Sequence, residues 1–436
     1  MGARETALNV LIACRKNGAW SNSILKEYVV RDKLDRREAA LASRLCYGVL
    51  QNRSKLDFYL KQLLTGKIKD LHPAVHDILQ LGLYQIYEMD RIPANAAVNE
   101  SVVLAKKYCK KIRNASGLVN AVLRNGVRSK GALEEPTALS DKYSHPQELI
   151  DLLGESVGKE KLEDVLAANN AQPPVTVQVN TLKTSATELT ALLNAAQVAA
   201  EPHPWLSDCL VLSNTGNLEQ LETFREGLFY VQDAAARLSV QCADIKAGMK
   251  VLDCCAAPGG KSFAAAIAEA GEILSCDIHD HKIALIENGA GRLGVSNLAA
   301  TLQDASQFHS AWKDAFDVVI ADVPCSGYGI IRKKPDIRYK DPKTMEQLPS
   351  LQLAILNNQA RYVKDGGVLM YSTCTLLKRE NEAVVKAFLR DNADFYLEAL
   401  PLPDNFPKNE SGMLTLVPGE YDTDGFFICR LRRNKT

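Results

Sequence analysis

The sequence predicts a multidomain chain: an all-α segment, then a small α+β segment, then a larger α/β segment built on a parallel sheet. Three observations carry this reading. Apolar residues recur at helical spacing through the first 130 residues. From about Gln232 onward, short apolar runs alternate with helical patterns. Between the two lies a stretch where single strands and single helices mix. At 436 residues the chain has room for two or three domains with ample core. Its 46% apolar and 24% charged composition is that of a soluble globular protein. No apolar run approaches the roughly 20 residues that span a bilayer, and the first residues lack a signal-peptide layout, so the expected compartment is the cytosol.

The helical segment is expected over residues 1–140. Its period shows in Ala7-Leu8-Val10-Leu11-Ile12, in Leu41-Leu45-Val49-Leu50 and in Ile78-Leu79-Leu81-Leu83-Ile86, with breaks at Gly66, His72-Pro73 and Ile92-Pro93. The stretch from Leu79-Gln80-Leu81-Gly82-Leu83-Tyr84 through Ile92-Pro93-Ala94 to Val98-Asn99-Glu100, with Val119-Asn120-Ala121-Val122-Leu123-Arg124, is similar to helical RNA-binding domains of the NusB antitermination-factor type. Charge agrees with that resemblance. Residues 1–130 hold 23 Lys and Arg against 11 Asp and Glu, although the whole chain is neutral. An excess of cations on one module suits a polyanion, because phosphate neutralisation drives nucleic-acid affinity.

Gly131 to His145 reads as a linker. Within an α+β segment over 145–231, Leu149–Ala168 reads as helical, Val175–Val179 as a strand, Ala186–Ala196 as a helix and Leu210–Leu212 as a strand. The final segment, 232–436, shows strands at 250–254, 273–277, 298–302, 316–322 and 367–372, with helices between them; that the runs at 413–417 and 426–431 form an antiparallel pair is implied by the family resemblance given below. Strands alternating with helices imply a parallel sheet covered on both faces.

Eleven cysteines, from Cys14 to Cys429, form no CxxC pair and no Cys/His cluster. Neither a disulfide framework nor a metal site is indicated, and reduced thiols fit a cytosol. Two of them sit in motifs. Cys325 lies in Asp322-Val323-Pro324-Cys325-Ser326-Gly327, and Cys374 in Tyr371-Ser372-Thr373-Cys374-Thr375, each just after a strand.

Strand 250–254 delivers Cys255, Ala256, Ala257, Pro258, Gly259, Gly260 and Lys261 to the carboxyl edge of the sheet, where ligands of doubly wound folds bind. Small side chains let a bulky ligand approach the backbone, and the helix that follows offers free N–H groups to a carboxylate. A phosphate-binding loop is excluded by spacing, since its first glycine would fall at Cys255, and GxGxxG is absent. Asp277 ends the next strand, as a carboxylate binding ribose hydroxyls should, and Asp304 follows the third. Singly, each aspartate reads equally well as a helix cap; in series after successive strands they read as ligands.

These motifs together resemble the RNA cytosine-5 methyltransferases that use S-adenosylmethionine. With the NusB-like module, Val231-Gln232-Asp233, and Asp424-Gly425-Phe426-Phe427, the resemblance spans nearly the whole chain and points to the bacterial 16S ribosomal RNA cytosine-5 methyltransferase B family, also called Sun or Fmu. It implies a Rossmann-like class I methyltransferase domain, S-adenosylmethionine as cofactor held by the loop, Asp277, Asp304 and Asp322, and 16S rRNA as partner, free or in an early assembly intermediate. The family's target is cytosine 967 in the conventional numbering. Carbon 5 of cytosine is too weak a nucleophile unaided; a thiolate added at carbon 6 activates it. The RNA family uses the Thr-Cys thiol for attack and the Pro-Cys thiol for release, which implies Cys374 as nucleophile and Cys325 as release cysteine. Asp322 is placed to hydrogen-bond the N3/N4 edge of the base. Arg332, Lys333, Lys334 and Arg338 are expected to meet phosphates beside a flipped base. Gln178 stands where the family usually has Arg, and Ser262 where Thr is commoner. Two competing readings remain: a tRNA cytosine-5 methyltransferase, and a non-catalytic RNA-binding or antitermination factor that keeps the fold. Intact Cys374, Cys325 and Asp322 argue against the second.

Overall fold

A computed structural model describes residues 1–17 and 20–435. The chain divides into two compact units: Met1–Leu152 with Lys333–Lys340, and Leu153–Arg332 with Asp341–Thr436.

The first unit is helical. Long helices run over Ala3–Asn17, Ser21–Arg31, Arg36–Gln51, Arg53–Leu63, Pro73–Glu88, Ala94–Tyr108 and Ala115–Arg128. Their boundaries follow local chemistry. Asp35 accepts the Glu38 N–H and caps the third helix. His72 caps the fifth, and Pro73 takes its first turn, where no N–H is needed. That fifth helix is buried nearly all round and forms the axis of the core, with Leu8, Leu45, Leu60, Val98 and Leu123 packed in the same cluster. Gly48 is required by this packing: a Cβ there would lie 1.9 Å from the Tyr84 ring.

The eight residues Lys333–Lys340 complete this unit. Arg338, only 1% exposed, donates to the Gln51 and Ser144 carbonyls at 3.0 and 3.2 Å, and Tyr339 donates to the Leu50 carbonyl at 2.7 Å. Leu50 and Gln51 end the third helix, so a cation and a hydroxyl satisfy carbonyls that the helix itself leaves free. Asp336 accepts the hydroxyl of Ser21 at 2.5 Å.

The second unit contains two sheets. The smaller joins β1 (Val175–Val179), β2 (Ala199–Pro202), β3 (Cys209–Ser213) and β4 (Phe229–Val231) in the order β2-β3-β1-β4, all antiparallel. β2 and β4 are absent from the sequence reading; Ala199–Pro202 carries one buried residue, and β4 is three residues long. Asn180, next after β1, donates to the Gly227 carbonyl just before β4 and to the Leu293 carbonyl at the end of the helix Asp280–Leu293, at 2.9 and 2.8 Å.

The larger sheet contains β5 (Lys250–Asp253), β6 (Glu272–Asp277), β7 (Leu298–Leu302), β8 (Phe316–Asp322), β9 (Val363–Thr373), β10 (Phe395–Leu397), β11 (Met413–Leu416) and β12 (Phe426–Arg433). Their order is β10-β12-β9-β8-β5-β6-β7, with β11 beside β12. The five strands β5 to β9 are parallel, while β10, β11 and β12 are antiparallel, so the sheet is mixed. Alternate residues feed two cores. Val251, Val318, Ile320, Val368 and Met370 face one side, and Leu252, Val319, Ala321, Leu369 and Tyr371 the other. β9 begins four residues before the expected strand because its register with β8 jumps from Phe316↔Val363 to Val318↔Val368. The Lys364-Asp365-Gly366-Gly367 bulge in between reads as a turn in sequence. Strand order reverses between β5 and β8, and the crevice at that switch point lies at the carboxyl ends of both.

Candidate active site

Two loops with cysteines rise from neighbouring parallel strands. Asp322 of β8 is in register with Ser372 of β9, so three residues on from Asp322 and two on from Ser372 the chain brings Cys325 and Cys374 together. Their sulfurs are 3.0 Å apart. The contact with Cys374 and burial push the Cys325 thiol well above its ordinary range, with the Cys374, Glu380 and Asp322 charges adding to the effect. Either sulfur can donate in this contact, and the upward push on Cys325 favours its protonated form.

The Cys325 loop is stitched in place. Gly329 donates to the Cys374 carbonyl at 2.9 Å, and Gly425 donates to the Gly329 carbonyl at 2.8 Å. A Cβ on Gly329 would lie 1.9 Å from the Gly425 oxygen, so only glycine permits this approach.

Asp322 accepts from Ser372 Oγ at 2.8 Å through one oxygen and from Lys261 Nζ at 2.5 Å through the other. Its side chain remains 27% exposed, whereas that of Lys261 is 10% exposed. Burial would strip Lys261 of its charge, but the Asp322 charge and hydrogen bond outweigh it and raise its pKa. The result is a fixed cation–carboxylate pair beside the two thiols.

Lys261 comes from the loop that β5 sends to the same edge. Gly259 sits in the left-handed region at φ 111°, and the helix Gly260–Ile267 starts directly after it. Ser262 Oγ donates to Asp253 Oδ2 at 2.7 Å and accepts from Ser275 Oγ at 2.7 Å, which pins that helix to β5 and β6. A serine hydroxyl suffices there. Beyond β6, Asp277 accepts the His279 N–H at 3.1 Å and lies 3.4 Å from Lys282. Ile278 beside it, the first residue after β6, is 56% exposed, an apolar side chain that sequence reasoning passes over. Asp304 opens a turn, not a helix: its Oδ1 takes the Ser306 N–H and hydroxyl at 2.9 and 2.7 Å.

The four cations of the 332–338 segment do not form one solvent-facing strip. Arg332 is buried and pairs with Asp424 at 3.0 Å, both side chains almost wholly covered. Arg338 is the buried helix cap described above, and burial lowers its guanidinium to about 10. Lys334 is exposed and Lys333 half-buried. Partners remote in sequence, Asp424 and the carbonyls of Gln51 and Ser144, absorb the two arginines, which a local charge count cannot foresee. Gln178 is likewise buried, and donates to the Gln232 carbonyl at 3.1 Å. Sequence reasoning also missed Gln352, Glu380 and Asn381, which hold the cysteine loops. Arg379-Glu380-Asn381-Glu382 reads simply as a polar helix start.

Among the described residues no group of three or more His, Cys, Asp and Glu is placed to hold a metal ion, and no helix is long and apolar enough to cross a membrane.

Three family models match the chain in series: NusB family over residues 1–128, the ferredoxin-like domain of RsmF/B-like methyltransferases over 145–219, and 16S rRNA methyltransferase RsmB/F over 240–432. The chain is 35% identical to a Bacillus subtilis protein named probable ribosomal RNA small subunit methyltransferase B, over 99% of this chain and 98% of that protein. It is 33% identical to ribosomal RNA small subunit methyltransferase B of Klebsiella pneumoniae, over 93% of each. The crystal structure of PH0851 has the same fold throughout, with a TM-score of 0.81 at 23% identity and 99% coverage of both chains.

Proposed function

The chain belongs to the 16S rRNA methyltransferase RsmB/F family, and from that premise we propose that it methylates carbon 5 of a cytosine in 16S rRNA, with cytosine 967 as the target. The observation that carries the chemistry is the pair of thiols 3.0 Å apart beside the Lys261–Asp322 pair.

S-adenosylmethionine fits the crevice. The loop Cys255-Ala256-Ala257-Pro258-Gly259-Gly260 offers backbone and small side chains, Asp277 stands at the end of β6 for ribose hydroxyls, Ile278 offers an apolar face to a purine, and Asp304 retains one oxygen outside its turn for an amino group. When bound, the cofactor supplies the methyl group that carbon 5 takes. The chain's own residues make carbon 5 able to take it. Cys374 adds to carbon 6 as the thiolate, breaking the C5–C6 double bond and placing the electron pair at carbon 5. Asp322, held by Lys261 and Ser372, faces the N3/N4 edge and stabilises the altered ring. After transfer Cys325 gives its own proton to solvent and, as thiolate, removes the carbon-5 proton; the C5–C6 double bond re-forms and the Cys374–C6 bond breaks, returning Cys374 as thiolate and Cys325 as thiol. Lys334, with Lys333, is offered to phosphates of the RNA.

Bisulfite sequencing of 16S rRNA from a strain lacking this protein tests the proposal. Loss of the protected cytosine at 967, restored by the parent and not by Cys374→Ala, supports it. Protection unchanged in 16S rRNA but lost in tRNA would move the activity to tRNA.

A further inference from the structure

The turn between β9 and the helix Glu382–Asp391 carries two adjacent polar residues, Glu380 and Asn381, both 0% exposed. Asn381 grips the Cys374 loop from both sides. Its Oδ1 accepts from Thr373 Oγ1 at 2.6 Å, and its Nδ2 donates to the Thr375 carbonyl at 3.0 Å. Glu380 grips the Cys325 loop in the same manner. Its Oε2 accepts the Ser326 N–H at 2.9 Å and Gln352 Nε2 at 2.9 Å, and the same Gln352 nitrogen donates to the Pro324 carbonyl at 2.9 Å. Ser326 Oγ and Thr375 Oγ1, 2.7 Å apart, join the two loops.

Both groups that bond Glu380 are neutral, and its Oε1 is buried with no hydrogen-bond partner among the described residues. A carboxylate held this way is costly. Glutamine could accept the same two hydrogen bonds without that cost, which leaves the negative charge as the property the site retains. That charge lies close enough to the Cys325 thiol to add to its upward shift, after the larger effects of the Cys374 contact and burial.

We propose that Glu380 is a positioning residue for product release, fixing the Cys325 backbone on both sides, while Asn381 does the positioning for the attacking Cys374. This inference rests on the reading of Cys325 as the release thiol.

The test uses the full chain, S-adenosylmethionine and a 16S rRNA fragment, and follows formation and decay of the covalent protein–RNA adduct separately. Glu380→Ala, which loses both hydrogen bonds around the Cys325 loop, should form adduct at near the parental rate and release it about tenfold to a hundredfold more slowly. Glu380→Gln, which can keep them, should restore most of that release, with its pH midpoint moved down because removing an anion lowers the Cys325 pKa. Asn381→Ala should slow formation instead. Glu380→Ala with release unchanged, or with formation and release slowed equally, or Glu380→Gln releasing no faster than Glu380→Ala, overturns the inference. Cys325→Ala is the control. If it accumulates adduct and Glu380→Ala does not, the positioning role alone fails; if it accumulates none, the release assignment fails and takes the inference with it.

Discussion

Asp253, at the end of β5, is fully buried, and burial raises its carboxyl to about 6 despite the Ser262 hydrogen bond and the nearby Lys261 charge. Its Oδ1 has no hydrogen-bond partner among the described residues. A carboxyl raised by about two units costs the native state about 3 kcal/mol once both folded and unfolded forms are ionised. The sign follows from the direction of the shift. The native state binds the proton more tightly, so this group favours folding most below about pH 4, and that contribution is lost as pH rises through about 6. Asp253→Asn keeps the shape and removes the charge. At about pH 7.5 it should be more stable than the parent by up to about 3 kcal/mol, less whatever the amide loses as an acceptor from Ser262. Near pH 4.5 the advantage should nearly vanish. Urea unfolding of both proteins across this range, read through Trp205 and Trp312 of the second unit, measures the difference. A difference that does not change with pH, or a variant as destabilised at pH 7.5 as at pH 4.5, would refute the reasoning. A fold that keeps a destabilising carboxylate under the loop after β5 trades stability for the placement of Ser262 and Lys261.

Arg338→Ala should destabilise the first unit by about 3 kcal/mol, because it leaves the Gln51 and Ser144 carbonyls buried without their donor; Lys334→Ala should stay within about 0.5 kcal/mol, as thermal melts of both would show. Reversing the charge of exposed Lys106, Lys110 and Lys111 should weaken binding of a 16S rRNA fragment and flatten its salt dependence by about 2 to 3 units in log–log slope, with melting unchanged. Lys107 is left out because its ammonium already contacts Glu5. Deleting residues 1–130 is a poorer probe, since Ile337 and Arg338 of the Lys333–Lys340 segment are buried in the same unit and would be exposed.

Much of the architecture is legible in the sequence, and the rest fails for identifiable reasons. Helical spacing and the breaks at Gly66, Pro73 and Pro93 give the first unit, and apolar strands followed by motif loops give the parallel sheet. β2 and β4 escape because neither carries enough apolar residues to show a period, and the start of β9 hides behind a glycine bulge. The loop residues and both cysteines stand out because chemistry demands their types in those motifs. Their supports do not. Lys261 beside Asp322, or Gln352 and Glu380 around Cys325, join residues 28 to 61 positions apart through single hydrogen bonds, which leave no local pattern. Arg332 and Arg338 show the converse: a cluster of cations suggests a solvent-facing patch until remote acceptors are seen to take two of them inside.

The division of labour between the two thiols is the centre of this account, and one measurement addresses it directly. Cys325→Ala, incubated with S-adenosylmethionine and a 16S rRNA fragment, should hold RNA through denaturing electrophoresis, and peptide mass spectrometry should place the linkage on Cys374, while Cys374→Ala holds none. RNA held by Cys374→Ala through Cys325, with none held by Cys325→Ala, would reverse the two roles and contradict the account.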